Sequence, residues 1–438
     1  MLAVLLMFTI ARCDSGTFSD SVSQGDALER TNDLLSPPGG QSYCASIDAE
    51  CDVDRNGRND LIVTWDQPGA ISVVVDADLG KVHNLSFGQD GPARLISAHG
   101  ATSHVGKTHS VLVCTTSKKG SGPGNEIEVR SYPQFIKERV YRQPAEFSSV
   151  DYGHSSAILR NIDAFDHLAI GSPSLRYSPG GVVIPDAQLV CGIVEVTTLS
   201  EPAVTQVLKG LVPGDGFGSA LAAIADINAD GYADLLVGAP DGNSSDYRGG
   251  YVTLVSGKDA SVIRRLNRTD LGLRRESRIG SAVLSVGDID GDALSDFAVT
   301  AAGALDLGAV VIVSGKSAKP LFTLRAPKSS EDTLETFGSA LALTYSITPQ
   351  RIPLLVIGHP SRPVSSASGG EGAVYLYSMV DGSMRTELLS VDLDCQLGSV
   401  LSSLPPRDNR EGVVFVSCGH HVMSYRAHLS TVGAKSTK

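Results

Sequence analysis

Carboxylates and amides recur in this sequence at a spacing that suits a cation held by oxygen. With Asp226 as position one of "DINADGYAD", side-chain oxygens fall at one, three, five and nine (Asp226, Asn228, Asp230, Asp234), Gly231 falls at six, and the carbonyl of Tyr232 at seven. Six or seven oxygens are what Ca²⁺ takes, and a glycine lets so short a loop turn around it. The pattern returns as Asp52, Asp54, Asn56 and Asp60, with Gly57 at six and the carbonyl of Arg58 at seven. It returns again as Asp288, Asp290, Asp292 and Asp296, with the carbonyl of Leu294 at seven. Here Ala293 stands at six and Gly291 at four, so strain is expected in this third loop. The loops hold three, three and four aspartates, which repel one another until an ion neutralises them. Affinities of about 10⁻⁴–10⁻³ M suffice for extracellular modules of this kind.

An EF-hand would place a bidentate Glu at position twelve, between helices. Position twelve is Val63, Val237 or Val299, each inside an apolar strand-like run, so these are hairpin loops. None of the three contains a histidine or nucleophile that would set the metal to chemistry, and the expected role is structural.

The elements that position these loops come from a repeat. Taking "FGSALAAIADINADGYADLLVGAP" from Phe217 as template, related segments start at Tyr152, Ile279, Phe337 and Leu397, at spacings of 65, 62, 58 and 60 residues. A further copy aligns from Tyr43, and the interval to Tyr152 leaves room for one more unit, marked by "SVLVCTT" at Ser110–Thr116. That makes seven units. Within each the apolar period is two rather than 3.6, which predicts strands. In the fourth unit these are "SALAAIA", "DLLVGAP", "GYVTLVSG" and "SVIRRL". The fold class is therefore all-β: a seven-bladed β-propeller of four-stranded antiparallel blades, closed radially so that few strand edges stay exposed. The seventh unit ends soon after "HVMSYRA", so a strand from within Asp26–Gln41 is expected to complete it. The third unit has His167 in place of the ninth-position aspartate and the sixth offers no carboxylate, so their turns must stand without calcium.

The expected layout is a signal peptide at 1–13, a polar linker with the closing strand at 14–40, the propeller at 41–431 and a tail at 432–438. Met1–Ala11 is an apolar run too short to span a bilayer and suited to a signal-peptide core. "IARC" ending at Cys13 also resembles a lipoprotein acylation site, although Arg12 stands where a small residue is wanted. No other stretch is long and apolar enough for a transmembrane helix. A formal charge of -12 speaks against nucleic acid as partner and suits a chain that takes up cations. Beyond Cys13, the six cysteines at 44, 51, 114, 191, 395 and 418 fit either disulfides or buried thiols. Cys395 and Cys418 face each other across the seventh hairpin and are the pair expected to bridge in an exported protein. Asn84, Asn243 and Asn267 begin glycosylation sequons, relevant in a eukaryotic host. Trp65, the only tryptophan, is read as packing between blades rather than stacking on a sugar, and the histidines lack metal-ligand spacing.

These motifs resemble the FG-GAP repeat family, the seven-bladed propeller of integrin α-subunit heads and of many secreted proteins, over residues 41–431. The resemblance implies that the loops between first and second strands bind Ca²⁺ on one face and that loops on the other face meet partners. It makes Asp52, Asp54, Asn56, Asp60, Asp226, Asn228, Asp230, Asp234, Asp288, Asp290, Asp292 and Asp296 ligands. The acidic loops fall in the first, fourth and fifth units rather than consecutively, and leg domains, a membrane span and a cytoplasmic tail are missing from this sequence, so a free-standing module is the expected comparison. The expected function is a secreted or cell-surface, calcium-binding and monomeric propeller that binds an extracellular protein or glycan and is not an enzyme. Its rival is a polysaccharide lyase or hydrolase built on a similar calcium-loop propeller.

Overall fold

The computed structural model describes residues 11–13, 16–22, 27–35, 43–52, 59–65, 70–75, 81–86, 94–103, 109–117, 126–132, 134, 136–142, 152–160, 166–173, 191–199, 205–242, 246–273, 277–302, 308–327, 336–346, 351–362, 372–390, 395–404, 406 and 412–428. All regular structure among them is strand. Residues 1–10 of the expected signal peptide at 1–13, the carboxyl-terminal tail and the sequon at Asn243 lie outside the described residues.

The chain opens with β1 (Ala11–Cys13), β2 (Gly16–Val22) and β3 (Ala27–Leu35). The first sheet follows as β4 (Cys44–Cys51), β5 (Asp60–Trp65), β6 (Ala70–Val75) and β7 (Lys81–Ser86). The second is β8 (Arg94–Ser103), β9 (His109–Ser117), β10 (Glu126–Ser131) and β11 (Lys137–Arg142). The third is β12 (Ser155–Leu159), β13 (His167–Ser172), β14 (Ile193–Thr198) and β15 (Thr205–Lys209). The fourth is β16 (Ala220–Ile224), β17 (Asp234–Ala239), β18 (Tyr251–Val255) and β19 (Val262–Asn267), and the fifth β20 (Ile279–Gly287), β21 (Asp296–Ala301), β22 (Ala309–Val313) and β23 (Pro320–Arg325). The sixth contains β24 (Leu341–Tyr345), β25 (Pro353–His359), β26 (Ala373–Ser378) and β27 (Met384–Ser390), the seventh β28 (Leu401–Leu404), β29 (Val413–Cys418) and β30 (His421–His428). Neighbours within each sheet are antiparallel, and in the first five sheets they follow chain order.

Two units divide these sheets. Pro37–Ala326 holds the first five; Met1–Ser36 with Pro327–Lys438 holds the sixth and seventh. In the larger unit the first strands lie side by side in succession, β4 by β8, β8 by β12, β12 by β16 and β16 by β20. Sheets therefore pack face to face. Along β17, Leu235, Val237 and Ala239 join Ala157 and Ala169 of the third sheet, while Leu236 joins Phe297 and Val299 of the fifth. The period of two thus decides which neighbour a residue meets, and both faces are apolar because both are covered. All six residues of β17 are buried, whereas β19 at the sheet margin alternates in exposure. Each fully buried Leu, Val or Phe contributes about 1.5–3 kcal/mol relative to an exposed one.

Glycines set how closely the sheets approach. A Cβ on Gly238 would lie 2.0 Å from the carbonyl oxygen of Gly280 in the next sheet. The same contact joins Gly171 to Gly218 at 2.3 Å and, in the smaller unit, Gly358 to Gly398 at 2.1 Å. The partner in each case also has positive φ: 88° at Gly218, 88° at Gly280 and 78° at Gly398. The residue before each partner, Phe217, Ile279 or Leu397, is wholly buried. The quoted "FG" and "GAP" motifs are thus two halves of one contact between consecutive sheets.

In the smaller unit β3 pairs antiparallel with β30, from Ala27 opposite His428 to Leu35 opposite Val422, as the fourth strand of the seventh sheet. It falls within the segment expected to supply it. The sixth sheet departs from the expected four strands: β2 adds to β27, with Phe18 opposite Ser390 and Val22 opposite Thr386, and β1 adds to β2. With β26 on one edge of β27, β2 takes the backbone groups of the other edge.

Cys395 and Cys418 form the expected disulfide. Cys44 and Cys114 are free and buried, and burial pushes the Cys44 thiol up to about 12 and the Cys114 thiol further in the same direction. Trp65 is fully buried, as the packing role requires.

Candidate metal centres

The hairpin between β16 and β17 brings Asp226, Asp230 and Asp234 together, each offering a carboxylate oxygen within 4.8 Å of the others. Backbone amides fold the loop onto its own side chains. Gly231 N donates to Asp226 Oδ2 at 2.8 Å, Asp230 N to Asn228 Oδ1 at 3.0 Å, and Tyr232 N to Asp230 Oδ1 at 3.0 Å. Asp234, the first residue of β17, is buried and accepts from Ile227 N at 2.8 Å and Gly257 N at 3.3 Å. Burial raises its pKa from 3.8 to about 6; the Asp230 and Asp226 charges add to the rise, against the two amides. Asp230 shifts down: its burial is outweighed by hydrogen bonds from Ser256, Asn228 and the Tyr232 amide and by the charge of Lys258.

The hairpin between β20 and β21 repeats the design with a different trio. Asp288, Asp290 and Asp296 converge within 4.8 Å. Asp292 turns to the Leu294 amide at 3.0 Å and the Ser314 hydroxyl at 3.4 Å. Asp296 accepts from Ile289 N at 2.7 Å and Gly315 N at 2.9 Å, and its pKa is raised, by burial first. Ala293, at position six, has the left-handed backbone from which strain was expected, and the fourth-sheet loop carries the same at Ala229. Positions four and six are left-handed in both loops: Ala229 at 61° and Gly231 at 90°, Gly291 at 81° and Ala293 at 72°. Each loop therefore holds one alanine and one glycine in this region.

In the first sheet Asp52 and Asp60 are described, Asp60 buried at the start of β5, while Asp54, Asn56 and Arg58 lie outside the described residues. Where the acidic loop is missing, other groups take over. His167, buried in the ninth-position place, has Nδ1 2.9 Å from Gly257 O, and the sixth-sheet turn closes with Ser346 N donating to Ile352 O and Ile352 N to Ser346 Oγ, both at 2.9 Å.

Convergent oxygen donors with no sulfur or nitrogen suit a hard divalent cation such as Ca²⁺. Two oxygen trios at equivalent places in consecutive sheets meet that requirement. Groups that sequence reading passed over are Ser256, Gly257, Ser314 and Gly315, which touch the loops from the end of the third strand. Their signal was the repeated Ser-Gly closing "GYVTLVSG" and "GAVVIVSG".

Residues 217–255, from the buried Phe217 through the first of these loops to the end of β18, match the FG-GAP repeat family. Integrin alpha-4 of Xenopus laevis is 34% identical over 190 residues, covering 41% of this chain and 18% of that protein. Integrin alpha-5 of Xenopus laevis is 27% identical over 256 residues, covering 53% and 23%. Integrin alpha-3 of Mus musculus is 34% identical over 159 residues, covering 35% and 15%. The chain thus spans less than a quarter of the length of each of these relatives.

Proposed function

We propose that this FG-GAP repeat chain, similar to the heads of integrin alpha subunits, is a secreted or cell-surface β-propeller that binds an extracellular protein or glycan and is stabilised by Ca²⁺. The observation that carries the proposal is the pair of oxygen trios, Asp226, Asp230, Asp234 and Asp288, Asp290, Asp296, recurring in step with the repeat. By register the first loop supplies a third site from Asp52, Asp54, Asn56, the carbonyl of Arg58, and Asp60. Asn228, Asp292 and the carbonyls of Tyr232 and Leu294 complete the other two shells. The seven sheets form one ring at residues 41–431, with β3 as the closing strand.

On this reading the ion supplies positive charge that lets three carboxylates share one hairpin. Each loop's own amides hold the carboxylates in place, and the sheets hold the loops. Chemistry at the metal is not part of the role; the adhesion-type surface belongs to loops at the opposite ends of the strands. Among the described residues no geometric observation favours the lyase or hydrolase alternative.

The test is elemental analysis of the purified chain, followed by protein and glycan arrays probed in calcium and in chelator. Bound calcium and ligand retention that weakens in chelator support the reading. Release of unsaturated or reducing ends from a polysaccharide panel would replace it with the enzymatic one.

A further inference from the structure

The acidic loops of the fourth and fifth sheets are each gripped by a dipeptide that follows the third strand of the same sheet. Ser256 Oγ donates to Asp230 Oδ2 at 2.7 Å, and Gly257 N donates to Asp234 Oδ1 at 3.3 Å. A Cβ on Gly257 would sit 1.9 Å from the carbonyl oxygen of Ala233, the residue before Asp234. The fifth sheet repeats all three contacts. Ser314 Oγ donates to Asp292 Oδ2 at 3.4 Å, Gly315 N to Asp296 Oδ1 at 2.9 Å, and a Cβ on Gly315 would lie 2.1 Å from the carbonyl oxygen of Ser295. The two turns close alike: Ser256 N donates to Ser261 O and Ala260 N to Ser256 O, while Ser314 N donates to Lys319 O and Ala318 N to Ser314 O.

Sheets without an acidic loop provide an internal control. The residue in the glycine's place is Leu199 in the third sheet and Met379 in the sixth, both buried. Their amides donate at 2.9 Å to main-chain oxygens, Leu199 to Asp166 and Met379 to Pro353, which occupy the place of Ala233. In the fourth and fifth sheets glycine replaces the large side chain and its amide turns to the ninth-position carboxylate instead. Among these four sheets glycine and ninth-position carboxylate go together, whereas in the first sheet Val75 and Asp76 stand in the dipeptide's place.

We infer that Ser256–Gly257 and Ser314–Gly315 are positioning residues for the divalent ion, an inference that rests on the calcium reading proposed above. Carboxylates that repel one another splay apart unless something else restrains them. The serine hydroxyl and the glycine amide hold the fifth- and ninth-position aspartates before an ion arrives, so less ordering remains to be done on binding. Serine is the residue to test, because Ser256→Ala keeps the turn's backbone whereas a side chain at Gly257 collides with Ala233 O.

The experiment titrates the full chain with Tb³⁺, whose emission Tyr232 in the fourth-sheet loop can sensitise, and with Ca²⁺ by calorimetry. Wild type, Ser256→Ala, Ser314→Ala and the conservative Ser256→Thr are compared, with melting curves in chelator and in calcium. Loss of one outer-shell partner should weaken ion binding at the affected loop about 10-fold. Expected results are weaker Tb³⁺ binding at the Tyr232 loop in Ser256→Ala, recovery in Ser256→Thr, and a smaller calcium-induced rise in Tm for each alanine variant. An equal fall in Tm with and without calcium, at unchanged ion affinity, would show a merely structural serine and overturn the inference. Wild type that takes up neither ion removes the calcium reading itself, a different outcome from wild-type binding that the serine variants retain.

Discussion

Two left-handed residues shape the acidic loops of the fourth and fifth sheets, which divide them oppositely between alanine and glycine. An L residue in this region costs about 1–2 kcal/mol, and glycine avoids that at roughly 0.5–1 kcal/mol of extra chain entropy. Ala229→Gly and Ala293→Gly should therefore each raise stability by about 0.5–1 kcal/mol in urea unfolding performed in chelator. Gly231→Ala should lower it by about 1 kcal/mol although no atom lies within 4 Å of the added methyl. Titration of Asp234 gives a second residue-scale expectation. Its folded pKa of about 6 exceeds the unfolded 3.8, so the ion-free folded state holds the proton more tightly and loses stability as pH rises through that window. An ion needs the ionised carboxylate, which reverses the sign. Tm in chelator should be higher at pH 5 than at pH 7 as far as this group decides it, and the calcium-induced rise in Tm should shrink at pH 5. The downward shift of Asp230 acts below 3.8 and leaves that comparison untouched.

At the scale of strands and sheets, stability depends on close approach. Gly238→Ala places a methyl 2.0 Å from Gly280 O, a main-chain atom fixed by the neighbouring sheet, and should cost about 3 kcal/mol or more, read from denaturant midpoints. Replacing Cys395 and Cys418 by serine opens a bridge across 23 residues and should cost about 3 kcal/mol, with the same Tm drop on adding reductant to the wild type. Strands such as β17, β18, β22 and β26 were legible because turn glycines bracket short apolar runs. The acidic loops were legible because their donors are local in sequence. Which carboxylates converge was not: Asp230 joins its trio and Asp292 does not, although each accepts from a serine, 26 and 22 residues away. Nor was β2, whose sequence "GTFSDSV" has little apolar periodicity and owes its strand to the open edge it meets.

For the whole chain, the amino-terminal residues serve the smaller unit twice, β2 on the sixth sheet and β3 on the seventh. Removing 27–35 deprives β30 of its outer partner and should lower Tm sharply, while removing 11–22 alone should lower it modestly because the four strands β24–β27 remain; differential scanning calorimetry separates the two. An unchanged curve after deleting 27–35 would exclude β3 as a closing strand.

The shared glycine seam has a bearing on how such chains can be lengthened or recombined. Because Gly238 and Gly280 each contribute half of a join, a segment cut just before one "FG" and just before the next carries a matching half at both ends. Such cassettes should be transplantable between positions with small neighbours, whereas a cut made inside a hairpin would separate the halves.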